Sequence, residues 1–200
     1  MKRLLLAATA SAALAACAGM GGGDWVTLID GDRGLENFNQ VGDGNWRVEN
    51  GAIVADRGQS GFLVSKMPYG DFQIYAEFWA EANTNSGVFI RCSDPAKLTG
   101  KTCYEVNIWD LRPEPKYGTG AIVDVAAVPV PIANRAGGRW NTYLITAKGE
   151  QLTVELNGVQ TASVRDGQHS SGYFGLQYGA GLKGRPPEPI KWRQVRIRAL

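Results

Sequence analysis

Strict alternation of apolar and polar side chains runs through the stretch Asp71-Phe-Gln-Ile-Tyr-Ala-Glu-Phe-Trp-Ala-Glu81. Successive side chains of a β-strand point to opposite faces, so this pattern predicts a strand with one buried and one solvent-facing side. The apolar set is Phe72, Ile74, Ala76, Phe78 and Ala80, and the opposite set is Gln73, Tyr75, Glu77, Trp79 and Glu81.

The same alternation recurs in shorter runs between turn signals, and no long stretch of helical period follows the N-terminal segment. Asn50-Gly51 and Asn157-Gly158 are strong hairpin turns. We therefore predict an all-β protein, a jelly-roll β-sandwich formed by a single domain of about a dozen strands. The other predicted strands cover residues 46–49, 52–54, 62–66, 86–92, 103–110, 120–125, 140–148, 151–156, 159–164, 173–178 and 190–199.

The charge of the chain argues against a nucleic-acid partner. The formal net charge is +2, and without Lys2 and Arg3 the basic and acidic residues balance at 19 each (21 − 2 = 19). A neutral chain with no basic stripe lacks the electrostatic footprint of nucleic-acid binding.

The first 17 residues have the pattern of a bacterial secretory signal. Lys2 and Arg3 precede an apolar run over residues 4–16, which is too short to span a bilayer as a helix of about 20 residues. Leu14-Ala-Ala-Cys17 resembles a lipoprotein lipobox, in which the Cys17 thiol is acylated; an ordinary cleaved signal is the alternative. Residues 18–23 then form a flexible tether.

This N-terminus sets the expected location. We expect an envelope protein held to the membrane by its lipid, and Ala18 after Cys17 favours the outer membrane, facing the periplasm. Protein partners stay unknown.

The two remaining cysteines, Cys92 and Cys103, flank a short polar loop. In an oxidising compartment such a pair predicts a disulfide that closes residues 93–102. A metal site built on the two thiolates is the alternative. It lacks further ligands, because the chain has one histidine and no C-x-x-C motif.

Several segments, taken in order, resemble the 3-keto-disaccharide hydrolase family, whose fold is a concanavalin A-like sandwich. The resemblance covers residues 24–200. Its motifs are Trp25-Val-Thr-Leu-Ile-Asp-Gly-Asp32, Trp46-Arg-Val-Glu-Asn-Gly-Ala-Ile53, Tyr69-Gly-Asp-Phe72, Asn85-Ser-Gly-Val-Phe-Ile-Arg91, Tyr104-Glu-Val-Asn-Ile-Trp-Asp110, Gly138-Arg-Trp-Asn-Thr-Tyr143 and Leu156-Asn-Gly158.

The resemblance implies action on sugars oxidised at carbon 3, by a hydrolase or lyase that cleaves the glycosidic bond of 3-keto-glycosides. A 3-keto group acidifies the proton on carbon 2, so a base can remove that proton and the enolate can expel the glycosidic oxygen. Some members are thought to use a divalent metal, and the sequence leaves the metal unknown. The alternatives are a non-catalytic carbohydrate-binding or adhesion module and a scaffold without a small ligand.

The segment 104–110 supplies the main candidates. Glu105 and Asn107 share one face of the predicted strand, with Trp109 beyond them, and together they offer an acid/base, an amide and an aromatic platform. A solvated outer face is the alternative. Arg91 is a candidate to hold a carbonyl or a carboxylate, or else a structural ion pair. If Cys92 and Cys103 are directly opposite, Arg91 points away from Glu105.

The remaining candidates are less specific. Asp110 either points into the groove or caps a turn, and Asn85 either lines the site or belongs to a turn. Gln177 matches a family position, but the family's Asp-His-Gly after it is replaced here by Tyr178-Gly-Ala-Gly. Tyr178 or Glu105 would have to take the part of the missing histidine, since His169 is expected in a loop. Trp79 and Tyr75 are either a stacking floor or packing residues.

Overall fold

The computed structural model describes residues 23–200. The expected signal, Cys17 and residues 18–22 of the expected tether lie outside this range. Two short 3-10 helices, Leu35–Asn37 and Pro115–Tyr117, accompany the strands. The strands are β1 (Val26–Asp30), β2 (Phe38–Gly42), β3 (Arg47–Glu49), β4 (Ala52–Ala55), β5 (Ser60–Ser65), β6 (Phe72–Ala80), β7 (Ser86–Cys92), β8 (Tyr104–Ile108), β9 (Arg139–Lys148), β10 (Gln151–Leu156), β11 (Val159–Arg165), β12 (Tyr173–Gly179) and β13 (Ile190–Ala199).

The strands form two antiparallel sheets. The larger sheet has eight strands in the order β11-β10-β9-β6-β13-β4-β3, with β1 paired to β13. The smaller sheet has five strands in the order β2-β5-β12-β7-β8. Neighbours in each sheet are mostly distant in sequence, which is the connectivity of a jelly roll, and the predicted all-β sandwich is confirmed.

The alternating stretch of residues 71–81 lies at the centre of the larger sheet. Strand β6 pairs with β9 on one side and β13 on the other. Its five apolar positions are at most 1% exposed, whereas the intervening positions are only partly buried. The apolar face of β6 thus forms the middle of the core, where Phe78 packs against Tyr143 and Trp192.

Both predicted asparagine–glycine turns are present. Asn50 and Gly51 have φ values of 51° and 74°, and Asn157 and Gly158 have 54° and 78°. Two successive residues with positive φ are what a tight hairpin between twisted strands requires.

The predicted strand over 120–125 is shorter than expected. Residues 120–123 run beside the edge strand β8, where the Asn107 amide donates to the Ala121 carbonyl and the Val123 amide to the Glu105 carbonyl, each at 3.0 Å. The chain then turns back at Asp124, whose φ is 61°, so that Ile122 also pairs with Ala126. Strands β1 and β2 were not predicted.

The predicted disulfide joins Cys92 and Cys103. The loop it closes folds over the outer face of the smaller sheet, where Leu98 packs above Gly175. A small second apolar cluster forms there, outside the main core, from Phe62, Val64, Phe89, Cys92, Leu98 and Cys103.

Across residues 23–200, no helix has the length and apolar character needed to cross a membrane.

Candidate functional site

The outer face of the five-stranded sheet carries most of the predicted site residues. Tyr104, Val106 and Ile108 of β8 lie in the core between the sheets, so the alternate positions Glu105 and Asn107 both face away from that core. Glu105 is half-buried, whereas Asn107 is fully buried under the following loop, where its Nδ2 donates to the Tyr117 carbonyl at 2.7 Å. The shared face expected from the sequence is therefore present.

The register places Gln177 on the same face. Strand β12 runs beside β7, and β7 beside β8, so that Gln177, Gly87 and Asn107 form one row across three strands. Because Gly87 has no side chain, nothing projects from the sheet between the side-chain amides of Gln177 and Asn107. Gly175, Phe89 and Glu105 form the adjacent row.

Glu105 has an unusual environment for a carboxylate. It is half-buried, and no hydrogen bond from residues 23–200 contributes to its pKa. Burial raises the pKa of Glu105 to about 7, because the charged form loses hydration; the positive charge of Arg112 lowers it and the negative charge of Asp124 raises it further. Its carboxyl group therefore changes charge near neutral pH.

Four buried polar atoms on or beside this face have no hydrogen-bond partner within the described part of the chain. Two are acceptors, Asn107 Oδ1 and Gln177 Oε1, and two are donors, Trp109 Nε1 and Arg112 Nε. Buried polar groups are nearly always paired, so these four atoms can receive a ligand or water, as can six similar atoms elsewhere in the described chain. The mixture of donors and acceptors suits a hydroxyl-rich molecule.

Arg112 is a residue that sequence reasoning missed. Its guanidinium lies 6.0 Å from the centre of the Trp109 ring, and its charge acts on Glu105. It lies in the irregular loop after β8, where no strand alternation predicts the direction of a side chain. An arginine three residues after the aromatic end of a candidate strand was the only available signal.

Two hollows are lined by the charged neighbours of Glu105 rather than by Glu105 itself. One, of about 250 Å³, is bounded by Trp109, Arg112 and the adjoining Pro113-Glu114. The other, of about 470 Å³, lies between Asp124 and the disulfide loop. Both hollows are open to solvent, so the surface beside Glu105 is concave in two places.

Asp110 does not point into the groove. Its buried carboxylate accepts hydrogen bonds from Thr119 Oγ1 at 2.6 Å, from the Ala136 amide at 3.1 Å and from the Gly137 amide at 2.9 Å. Of the two roles considered, the structure shows the turn cap, because all of its contacts fasten loops. This corrects its place among the catalytic candidates.

Arg91 is also turned away from Glu105. Glu105 pairs with Phe89, so the strand register itself would put residue 91 on the outer face. A bulge at Arg91, with φ of 52°, sends the side chain inward instead, where it is fully buried. It donates to the carbonyls of Gly70, Gly149 and His169 and to Asp71 Oδ1. The structure therefore makes it an inner clamp between the sheets and corrects its catalytic assignment.

The contacts of Tyr178 and Asn85 are those of residues that hold the fold together. Tyr178 is fully buried on the core side of β12, as its position next to the outward Gln177 requires. Asn85 Nδ2 donates to the Ala180 carbonyl at 2.9 Å and its backbone pairs with Gly179, which joins the ends of two strands. His169 packs edge-on against Tyr104, on the core side of β8.

The residues of this face do not fit a metal held by the protein. No group of three His, Cys, Asp or Glu side chains among residues 23–200 is placed to bind a metal ion. Glu105 is the only carboxylate among the three outward polar side chains of the two rows.

Comparison with protein families decides the relationship of the chain. The family model of the 3-keto-alpha-glucoside-1,2-lyase-like domain matches residues 24–198. The chain belongs to this family. It is a 3-keto-glycoside hydrolase-like domain, as the sequence motifs predicted. No curated protein matches this family member.

Solved structures share its fold at low identity. A provisionally assigned glycosyl hydrolase of Parabacteroides distasonis has a TM-score of 0.69 at 23% identity, over 88% of this chain and 100% of the other. The carbohydrate-binding module CBM66 of Bacillus subtilis has a TM-score of 0.53 at 14% identity, over 86% and 94%. A protein of galectin-like fold from Bacillus subtilis has 0.61 at 8%, over 90% and 98%. These likenesses confirm the concanavalin A-like jelly roll.

Proposed function

We propose that this protein cleaves the glycosidic bond of 3-keto-glycosides, with Glu105 as the proton-transfer group. The observation that carries the proposal is the carboxylate itself. It is half-buried, no hydrogen bond from residues 23–200 contributes to its pKa, and that pKa is raised to about 7, on the face that carries unpaired polar atoms. A general base works best when its pKa lies near the working pH.

The reaction follows from the acidity of the substrate. The ionised carboxylate of Glu105 takes the proton from carbon 2, and the electron pair of the C2–H bond moves towards the 3-keto oxygen to form an enolate. When the enolate collapses, a C1=C2 double bond forms and the C1–O bond breaks. The leaving oxygen takes a proton, for which protonated Glu105 is a donor. A lyase stops here, and addition of water across the double bond completes a hydrolysis.

The neighbours of Glu105 supply orientation and charge. The Arg112 guanidinium, whose positive charge acts on Glu105, is our candidate for stabilising the developing enolate oxygen. Asn107 Oδ1 and Gln177 Oε1 are buried acceptors for sugar hydroxyls on either side of Gly87. The edge of Trp109 contributes an indole N–H and an apolar surface.

The test compares the purified wild type with Glu105→Gln. Each protein is incubated with 3-keto-trehalose and 3-keto-sucrose, with and without a chelator, and released sugar is measured. Loss of a general base of this kind lowers the rate by about 10²–10⁴-fold. Equal turnover by the two proteins would overturn the assignment of Glu105. The chelator arm reports whether the reaction needs a free metal.

A non-catalytic carbohydrate-binding module is the second candidate. It is favoured by the absence of the family histidine from the segment after Gln177, because Tyr178, one of the two residues that could take its part, is buried on the core side. Saturable binding of the keto-sugars by both proteins without turnover would establish this reading. The absence of both binding and turnover would leave a scaffold.

The location is part of the proposal. The lipobox at Cys17 and the positive Lys2-Arg3 segment support a lipid-anchored protein of the bacterial envelope, at the outer membrane and facing the periplasm. The disulfide is compatible with an oxidising compartment. Labelling with a palmitate analogue in cells should be lost in Cys17→Ser, and equal labelling of both proteins would contradict it.

A further inference from the structure

The outer face of the eight-stranded sheet, on the opposite side of the molecule from Glu105, carries a second aromatic surface. Trp79 of β6 and Trp140 of β9 are directly paired across the strands. Their ring centres are 6.1 Å apart and their planes are inclined by 74°. Two indoles at this angle form a corner rather than a flat patch.

The corner is the floor of a groove of about 240 Å³. The hairpin between β3 and β4 contributes Glu49, Asn50 and Ala52 to its lining, and β13 contributes Lys191. A carboxylate, an amide and an ammonium group therefore border the two indoles. We name this site the tryptophan groove.

The tryptophan groove is rigidly built. Trp79 Nε1 donates to Glu81 Oε1 at 3.0 Å. The Arg193 guanidinium stacks 4.3 Å from the centre of the Trp140 ring and is itself held by Glu77 at 2.6 Å. Side chains fixed before binding lose little conformational freedom when a ligand arrives.

Another tryptophan on the same sheet face has different surroundings. Trp25 is covered by two guanidinium groups, those of Arg198 at 4.8 Å and Arg196 at 5.4 Å from its ring centre. Trp79 and Trp140 also have cationic neighbours, Lys191 Nζ at 5.9 Å from the Trp79 ring centre and Arg193 at 4.3 Å from that of Trp140. They differ from Trp25 because both of them line the open groove.

A pyranose ring matches this arrangement. Its C–H faces are apolar and pack on indole surfaces, and its equatorial hydroxyls need both donors and acceptors at the rim. From this match we propose that the tryptophan groove binds a neutral pyranose unit of an unoxidised oligosaccharide. Binding here requires no keto group and no participation of Glu105, so the inference is independent of the proposed function.

The experiment is a titration of the purified chain with maltohexaose and with cellohexaose, followed by calorimetry and by tryptophan fluorescence. We expect saturable binding of at least one of them below about 10 mM, the range of a single weak site. Trp79→Ala and Trp140→Ala should each weaken it at least tenfold. Trp25→Ala is the matched control and should bind as the wild type does.

Two further variants keep the result interpretable. Asn50→Gly removes the amide at a backbone position with φ of 51°, which glycine adopts without strain, so it should fold normally and bind a few-fold more weakly. Glu105→Gln should retain full affinity. Absence of saturable binding by both sugars, or binding lost in Glu105→Gln but kept in Trp140→Ala, would overturn the proposal.

Discussion

Asn107 and Gln177 face outward in one row of the five-stranded sheet, separated only by Gly87. Each carries a buried side-chain oxygen without a partner in the described chain. Adjacent strands lie about 4.8 Å apart, so two strand spacings separate the amides by roughly 10 Å, which is the width of a sugar unit with its hydroxyls. The glycine sets this gap, because any side chain there would stand between the amides.

The pH dependence of activity should follow the Glu105 carboxyl. The pKa of Glu105 in the free protein is raised to about 7 by burial, and the base must be ionised to take a proton. The kcat/KM for a 3-keto-glycoside should therefore rise with pH through about 7 and then level off. A profile that stays flat between pH 5 and pH 9 would contradict the role of Glu105.

Two charge-removing variants should move that profile in opposite directions. Arg112→Gln removes the positive charge that lowers the Glu105 pKa, so the midpoint should move to higher pH. Asp124→Asn removes a negative charge that raises it, so the midpoint should move to lower pH. Asparagine also tolerates the left-handed backbone of Asp124. Movement of both midpoints in the same direction would refute the charge argument.

The free energy of unfolding should also depend on pH through the Glu105 carboxyl, and it should fall as the pH rises. The pKa of Glu105 is higher in the folded protein than its ordinary value of 4.5, so the native state binds more protons between these two values. The free energy of unfolding should fall as pH rises from about 4.5 to about 7, by about 1–3 kcal/mol, relative to Glu105→Gln. Urea unfolding of the two proteins across this range measures the difference.

Substitution of Arg91, the inner clamp, should lower the free energy of unfolding strongly. Arg91→Met removes donors from three carbonyls and from Asp71, all in contact with a fully buried guanidinium. We expect a loss of about 3–5 kcal/mol in urea unfolding, because three carbonyls lose their donor at about 1–3 kcal/mol each. The matched control is Arg33→Met at the exposed pair with Asp30, where about 0–1 kcal/mol is expected. Comparable losses in both variants would show that burial of the clamp contributes nothing.

The disulfide should hold the loop that covers Gly175. Cys92→Ser with Cys103→Ser opens the loop over 93–102, and the unfolded chain regains freedom worth about 2–3 kcal/mol. Leu98 then loses its fixed place above Gly175. Proteolysis confined to residues 93–102 in the double variant, with the wild type intact, is the expected result. Equal protection of both proteins would contradict it.

The sequence predicts the structure correctly wherever the alternation of a regular strand fixes the face to which each side chain points. The alternation of β6, the two asparagine–glycine turns and the shared face of Glu105 and Asn107 all follow from the two-residue period, and all are present. The same rule shows that two of the predicted site residues cannot both face the site. Gln177 and Tyr178 are consecutive in a strand, so only one of them can face the site.

The predictions that the structure corrects lie where the two-residue alternation of a strand is interrupted. A single left-handed residue reverses Arg91, and its partners come from three distant segments. Asp110 and Arg112 follow the end of β8, where local pattern no longer sets direction. Their surroundings depend on loops that return from elsewhere, such as the one containing Ala136 and Gly137.

The segment that runs beside β8 has a consequence for the behaviour of the protein at high concentration. A bare strand edge is a template on which a second copy can add, which leads to aggregates. Residues 120–123 occupy the backbone groups of β8, and the reversal at Asp124 ends this cover before it becomes a new long edge. A second copy could add to this side of the sheet only by first displacing residues 120–123 from Glu105 and Asn107.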